Sequence, residues 1–73
     1  MAGEKRPMTD QEIGNLLRKL RGIRTAVGLA GELGISPSTY RSYEYGQRHV
    51  PDSMKIRIAA YYGKSVEEIF YAQ

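Results

Sequence analysis

The sequence predicts an all-α domain of five short helices. Three observations predict it: two capping boxes, a glycine just past each of the first four amphipathic stretches, and no segment with sustained strand alternation. With 73 residues there is room for one domain and no second. A chain of this length buries only about 60–65% of its unfolded surface, so its stability has to come from local, tightly packed contacts.

Each helix has its own punctuation. Thr9-Asp10-Gln11-Glu12 is a capping box, and Ile13, Leu16, Leu17 and Leu20 follow at helical spacing, so the first helix is expected over 10–21, with Gly22 as its stop. Val27, Leu29, Ala30 and Leu33 form a short second pattern that contains Gly28 and Gly31, each costing up to about 1 kcal/mol relative to alanine. Gly34 ends it. Ser36 suits an N-cap and Pro37 the first helical position, where its missing N–H costs nothing, so a third helix is expected from Pro37 through Tyr45 to a stop at Gly46. Asp52 or Ser53 opens the fourth helix, with Met54, Ile56, Ile58, Ala59 and Tyr62 as its apolar positions and Gly63 as its end. Ser65-Val66-Glu67-Glu68 is the second capping box and starts a last helix running to about Tyr71. Residues 1–8 are expected as a flexible N-terminal arm and 9–73 as the folded domain.

The tight Gly34-Ile35-Ser36 connection between two short helices is what a helix-turn-helix requires. Ala30 lets the second and third helices approach closely, and Ile35 plugs the space between them. Tyr40 and Tyr43, three residues apart, turn one face of the third helix inward and leave its Ser/Thr/Arg face outward.

Charge is concentrated along the chain. Residues 1–17 carry net −1, residues 18–50 net +4 and residues 51–73 net zero. Five of the six cations in the middle segment are arginine, the side chain suited to bidentate contacts with phosphate and guanine. Several function classes are excluded or unsupported. The absence of cysteine rules out a disulfide scaffold, a cysteine zinc site and thiol catalysis. The longest apolar run, Ile58 to Tyr62, is far short of a membrane span. No Gly-rich phosphate loop, metal-ligand cluster or acid pair at catalytic spacing is present, so no catalytic residue, metal or cofactor is expected. His49 has no second ligand at metal spacing. Met1 to Met8 lacks a secretory signal, and a cytoplasmic protein is expected.

The stretch from Leu29-Ala30 through Leu33-Gly34-Ile35-Ser36, Ser38-Thr39 and Glu44-Tyr45-Gly46-Gln47-Arg48 to Pro51 resembles the phage-repressor and Cro-like (xenobiotic-response-element type) helix-turn-helix family of transcriptional regulators. Ile58-Ala59 and Gly63 to Phe70 resemble the closing helices of that family, and the likeness covers about residues 10–71.

The resemblance implies a five-helix repressor-like domain that binds double-stranded operator DNA, the third helix reading the major groove. The candidate DNA-binding residues are Thr25, Ser36, Pro37, Ser38, Thr39, Arg41, Ser42, Gln47 and Arg48. Ser36 and the first amides of its helix suit phosphate, Ser38 and Ser42 base edges, Arg41 a guanine, and Gln47 and Arg48 the backbone. Tyr45 is placed to reach a phosphate, whereas Tyr40, Tyr43, Tyr61 and Tyr62 are expected in packing. The family pattern also pairs Arg18 with Glu44 as a structural brace. Homodimerisation through the last helices is expected, with Tyr61, Phe70 and Tyr71 as contact candidates.

Three features motivate an alternative from another class. Ala26 stands where the family's second helix carries a phosphate-anchoring glutamine, Gly28 and Gly31 lie inside that helix, and the net charge of +3 is modest; the stretch from Leu17-Arg18 to Leu29-Ala30 is also one residue longer than usual. The alternative is an antirepressor or modulator that keeps the fold and acts by binding a partner repressor protein through its second and third helices.

Overall fold

The computed structural model describes residues 6–72 and shows five helices: α1 (Asp10–Arg21), α2 (Ala26–Leu33), α3 (Pro37–Glu44), α4 (Asp52–Tyr62) and α5 (Val66–Phe70). Two dipeptide strands, β1 (Arg6–Pro7) and β2 (Tyr71–Ala72), join the ends of the chain in an antiparallel pair, Arg6 opposite Ala72 and Pro7 opposite Tyr71.

The caps form as the local chemistry requires. Thr9 and Ser65 each complete a reciprocal capping box with Glu12 and Glu68, and the Thr25 and Ser36 hydroxyls accept from the third amide of their helices. The core draws on every helix: Ile13 and Leu17 from α1, Leu29, Ala30 and Leu33 from α2, Tyr40 and Tyr43 from α3, Met54, Ile58 and Ala59 from α4, and Ile69 and Phe70 from α5, with Val50 from the loop before α4. Ala30 is fully buried, and the turn that follows it bonds back, the Ile35 amide donating to the Ala30 carbonyl at 3.0 Å. That closure needs Gly34 at φ 74°, a left-handed conformation that side chains disfavour.

Four expectations are corrected. The arm expected over 1–8 is ordered from Arg6 onward; residues 1–5 lie outside those described. The Arg6 guanidinium forks onto the Glu12 carboxylate with two bonds of 2.9 Å, and the Met8 amide donates to the Phe70 carbonyl. The last helix stops at Phe70 because Tyr71 is extended and pairs with Pro7. Helix α3 ends one residue early, with Tyr45 as its cap. On α4 the inward row is Met54, Lys55, Ile58 and Ala59, so Ile56 is 62% exposed while Lys55 is buried with its ammonium 5.7 Å from the Phe70 ring centre. Lysine fits there because its long alkyl stem packs as an apolar chain and its cation meets the face of the ring.

The Arg6 bonds, and next the Thr9 amide, hold the Glu12 carboxyl down to about 2. A carboxylate depressed in the folded state adds stability that is complete above its ordinary value of about 4.5 and is lost as pH falls towards 2. The melting temperature of wild type is therefore expected to exceed that of Glu12→Gln at pH 6, and the gap to close between pH about 4.5 and 2. A gap independent of pH would show that the fork adds nothing.

Candidate nucleic-acid interface

Helix α3 is anchored on one side and bare on the other. Tyr40, Tyr43 and Glu44 are buried against α1, while Ser38, Arg41 and Tyr45 are exposed and Pro37, Thr39 and Ser42 half-exposed on the remaining surface. Gly14 on α1 permits the close crossing: a Cβ added there would lie 2.3 Å from the Glu44 carbonyl oxygen and 2.8 Å from that of Tyr43.

The Glu44 brace exists with a different partner. Arg21, not Arg18, holds the buried Glu44 carboxylate in a fork, Nε to Oε2 at 2.6 Å and Nη2 to Oε1 at 3.2 Å. Arg18 instead donates to the Glu44 backbone carbonyl and to the Asn15 side chain. The physical reason is the level at which the helices cross. Gly14 draws the Glu44 carbonyl down beside Arg18, and the side chain then extends about one turn further along α1, to Arg21. Desolvation, and next the adjacent Glu44 carboxylate, push the buried Tyr40 phenol well above its ordinary range. The inner face of α3 is thus a continuous polar and aromatic clamp on α1.

The outer face differs residue by residue. Ser36 accepts from the Thr39 amide at 3.1 Å and donates to the Thr39 hydroxyl at 2.9 Å, so its hydroxyl is spent on the cap. Ser42 donates to the Ser38 carbonyl at 3.1 Å. Arg41, Gln47 and Arg48 are exposed, and none of their side chains has a hydrogen bond or ion pair among the described residues. Beside them, His49 Nδ1 lies 2.9 Å from Asp10 Oδ1, tying the loop after α3 to the start of α1. Thr25 is exposed and caps α2 through the Gly28 amide at 3.0 Å.

Arg24, next to Thr25, is not free. Its guanidinium carbon lies 5.9 and 5.8 Å from the ring centres of Tyr61 and Tyr62, which removes it from the set of unengaged cations. The structure therefore leaves Ser38 and Arg41 exposed on α3 and Gln47 and Arg48 exposed in the loop that follows it, with Arg18 and Glu44 in the clamp. Sequence reasoning missed Gly14 and Arg21. A glycine inside the strong pattern of α1 was the available signal for the first; Arg21 shares the face of Arg18 one turn on, and nothing local separates the two.

Among the described residues no group of three or more His, Cys, Asp or Glu side chains is placed to hold a metal ion. No described helix is long and apolar enough to cross a membrane.

Two short helices joined by a left-handed Gly34 turn, the second anchored inside and bearing an unengaged arginine outside, define a helix-turn-helix domain of the kind found in DNA-binding transcriptional regulators. The helix-turn-helix family model matches residues 16–69, and the chain belongs to that Cro/repressor-type family. Two solved structures of the clp gene regulator ClgR from Corynebacterium glutamicum share the fold. One superposes with a TM-score of 0.73 at 24% identity, covering 88% of this chain and 86% of that one. The other gives a TM-score of 0.75 at 25% identity, covering 86% of this chain and 69% of that one. No curated protein matches the chain.

Proposed function

We propose that the protein is a sequence-specific DNA-binding regulator of transcription in the cytoplasm, with α3 lying in the major groove of an operator. The observation that carries this reading is Arg41: an exposed guanidinium, without a partner among the described residues, on the outer face of a helix whose inner face is clamped by Glu44, Tyr40 and Tyr43. A rigid mounting spares binding the entropy of ordering the helix, and a free fork is what guanine recognition needs. In this reading Arg48 and Gln47 take backbone phosphates, Thr25 and Ser36 with their helix amides do the same, and Pro37, Ser38, Thr39 and Ser42 face the groove. A dimer on two half-sites about one helical turn apart fits a subunit of this size. Its contact lies at the α1–α5 side, where half-buried Leu16, Leu20 and Tyr71 line an open groove. Phe70 takes no part in it, being fully buried.

Fluorescence anisotropy on duplexes selected from a random library tests the reading. Arg41→Ala is expected to cost about 1–3 kcal/mol on the best duplex and far less on duplexes changed at its base pair. Arg48→Ala is expected to weaken all duplexes alike and to lower the salt slope by about 1 per subunit. Equal losses across sequences for both variants would remove Arg41 from base recognition.

One observation favours a second reading. Ile23 and Val27, flanking the start of α2, are 104% and 56% exposed, an apolar pair where a phosphate contact would call for polar side chains. Under this reading the protein modulates a partner repressor through α2, and DNA affinity alone is weak and sequence-blind. A preference below about tenfold for selected over scrambled duplex, against 10³ or more for typical operator binders, would favour it.

A further inference from the structure

We infer that Ser42 acts as an acceptor-only specificity residue: beside the guanine taken by Arg41, it selects a base that presents an exocyclic amino group, adenine or cytosine, over one that presents a keto group. The inference rests on α3 reading the major groove as proposed above.

The hydroxyls along α3 differ in what they can offer a base. A serine has a single proton to donate and two lone pairs to offer. Ser42 gives its proton to the Ser38 carbonyl one turn back, at 3.1 Å, a bond that serines inside helices commonly make. What it turns outward is therefore lone pairs. Ser38 differs, because its hydroxyl has no partner among the described residues and can donate or accept. Ser36 has spent its proton on Thr39, and Pro37 carries no amide proton at all.

Arg41 supplies the complementary half, being a donor only. It suits the two acceptors of guanine, O6 and N7, whereas Ser42 suits the donors at cytosine N4 and adenine N6. Every base pair carries one amino group in the major groove, so an acceptor at a given place reports which strand holds it. Arg41 and Ser42 are consecutive, about 100° apart around α3, and so address neighbouring base pairs. Ser42 is half-buried and its bond, made within one turn of α3, lies at the surface, where a base edge can reach the oxygen beside the small side chain of Ser38.

Selection from a random-sequence duplex library, followed by anisotropy on the winning duplex, tests this with the full chain. Wild type is expected to return a guanine and, in an adjacent base pair, adenine or cytosine on one defined strand. Removing that amino group, by substituting the deamino analogue of the base, is expected to weaken wild-type binding about five- to tenfold. Ser42→Ala is expected to keep the guanine, to accept all four bases at the neighbouring position, and to be indifferent to the deamino analogue. Circular dichroism of Ser42→Ala checks that α3 is retained. A guanine with no amino-over-keto preference beside it, or a preference that survives Ser42→Ala, would overturn the inference and leave the DNA-binding reading standing. Selection that returns no guanine at all would remove the DNA-reading role of α3 and the inference with it.

Discussion

Gly14→Ala is expected to be the most damaging small substitution in the protein. Alanine is the better helix former by about 1 kcal/mol, so on an isolated helix the change would stabilise. Here the new Cβ would lie 2.3 Å from the Glu44 carbonyl oxygen and 2.8 Å from the Glu44 carbonyl carbon, both backbone atoms that no side-chain rotation can move aside. Relief requires α1 and α3 to separate, which would also disturb the Arg18 bond to that carbonyl and the Arg21–Glu44 fork. A loss of about 3 kcal/mol is expected, at the upper end of overpacking effects, which for a domain of this size is a fall of about 12–24 °C in melting temperature. A melting temperature equal to or above that of wild type would mean that the helices do not cross at Gly14. Because α3 is the element displaced, DNA affinity is expected to fall along with stability.

Arg21→Ala is expected to be at least as damaging. It strands a Glu44 carboxylate whose side chain is only 4% exposed, and removing one partner of a buried pair costs about 3–5 kcal/mol, far more than the pair contributes over an apolar replacement. Arg18→Ala removes bonds to a carbonyl and to Asn15 from an exposed side chain and is expected to cost about 1–1.5 kcal/mol. Urea titrations of the two variants give the comparison directly. The double change Arg21→Ala with Glu44→Ala is expected to be clearly less damaging than the sum of the single changes, since no charge is then left buried. Equal losses for Arg18→Ala and Arg21→Ala would contradict the assignment of the fork.

The contrast between these two arginines shows where sequence reasoning stops. Both stand on the α3-facing side of α1, three residues apart, and a pattern match selects one of them. The choice between them depends on how far along α1 the end of α3 arrives, and that distance is set by a glycine whose importance is visible only once the second helix is present. The same limit applies on α4. Ile56 and Lys55 are read correctly by hydropathy alone only if the inward direction is known, and that direction comes from Phe70 on α5, which accepts the lysine cation.

The outer face of α3 was legible for a related reason. Tyr40 and Tyr43 mark the buried side at helical spacing, so the opposite side follows from geometry, and Ser38 and Arg41 are exposed there. Their chemical state was not legible. Which hydroxyls are spent, and that Arg24 lies against Tyr61 and Tyr62 and not free beside Thr25, depends on contacts made after folding.

What the sequence by itself determined is everything that one turn of chain can decide. Thr9, Thr25, Ser36 and Ser65 start helices because their hydroxyls accept from amides three residues on, and Gly34 closes the turn because it tolerates a positive φ. Those interactions have short sequence separation and need no partner. What only the tertiary structure decided is the set of contacts between segments far apart in the chain: Arg21 on Glu44, Gly14 against the end of α3, and Arg6–Pro7 alongside Tyr71–Ala72. Each depends on the angle and level at which whole helices meet, quantities set by the packing of the entire core and encoded at no single position.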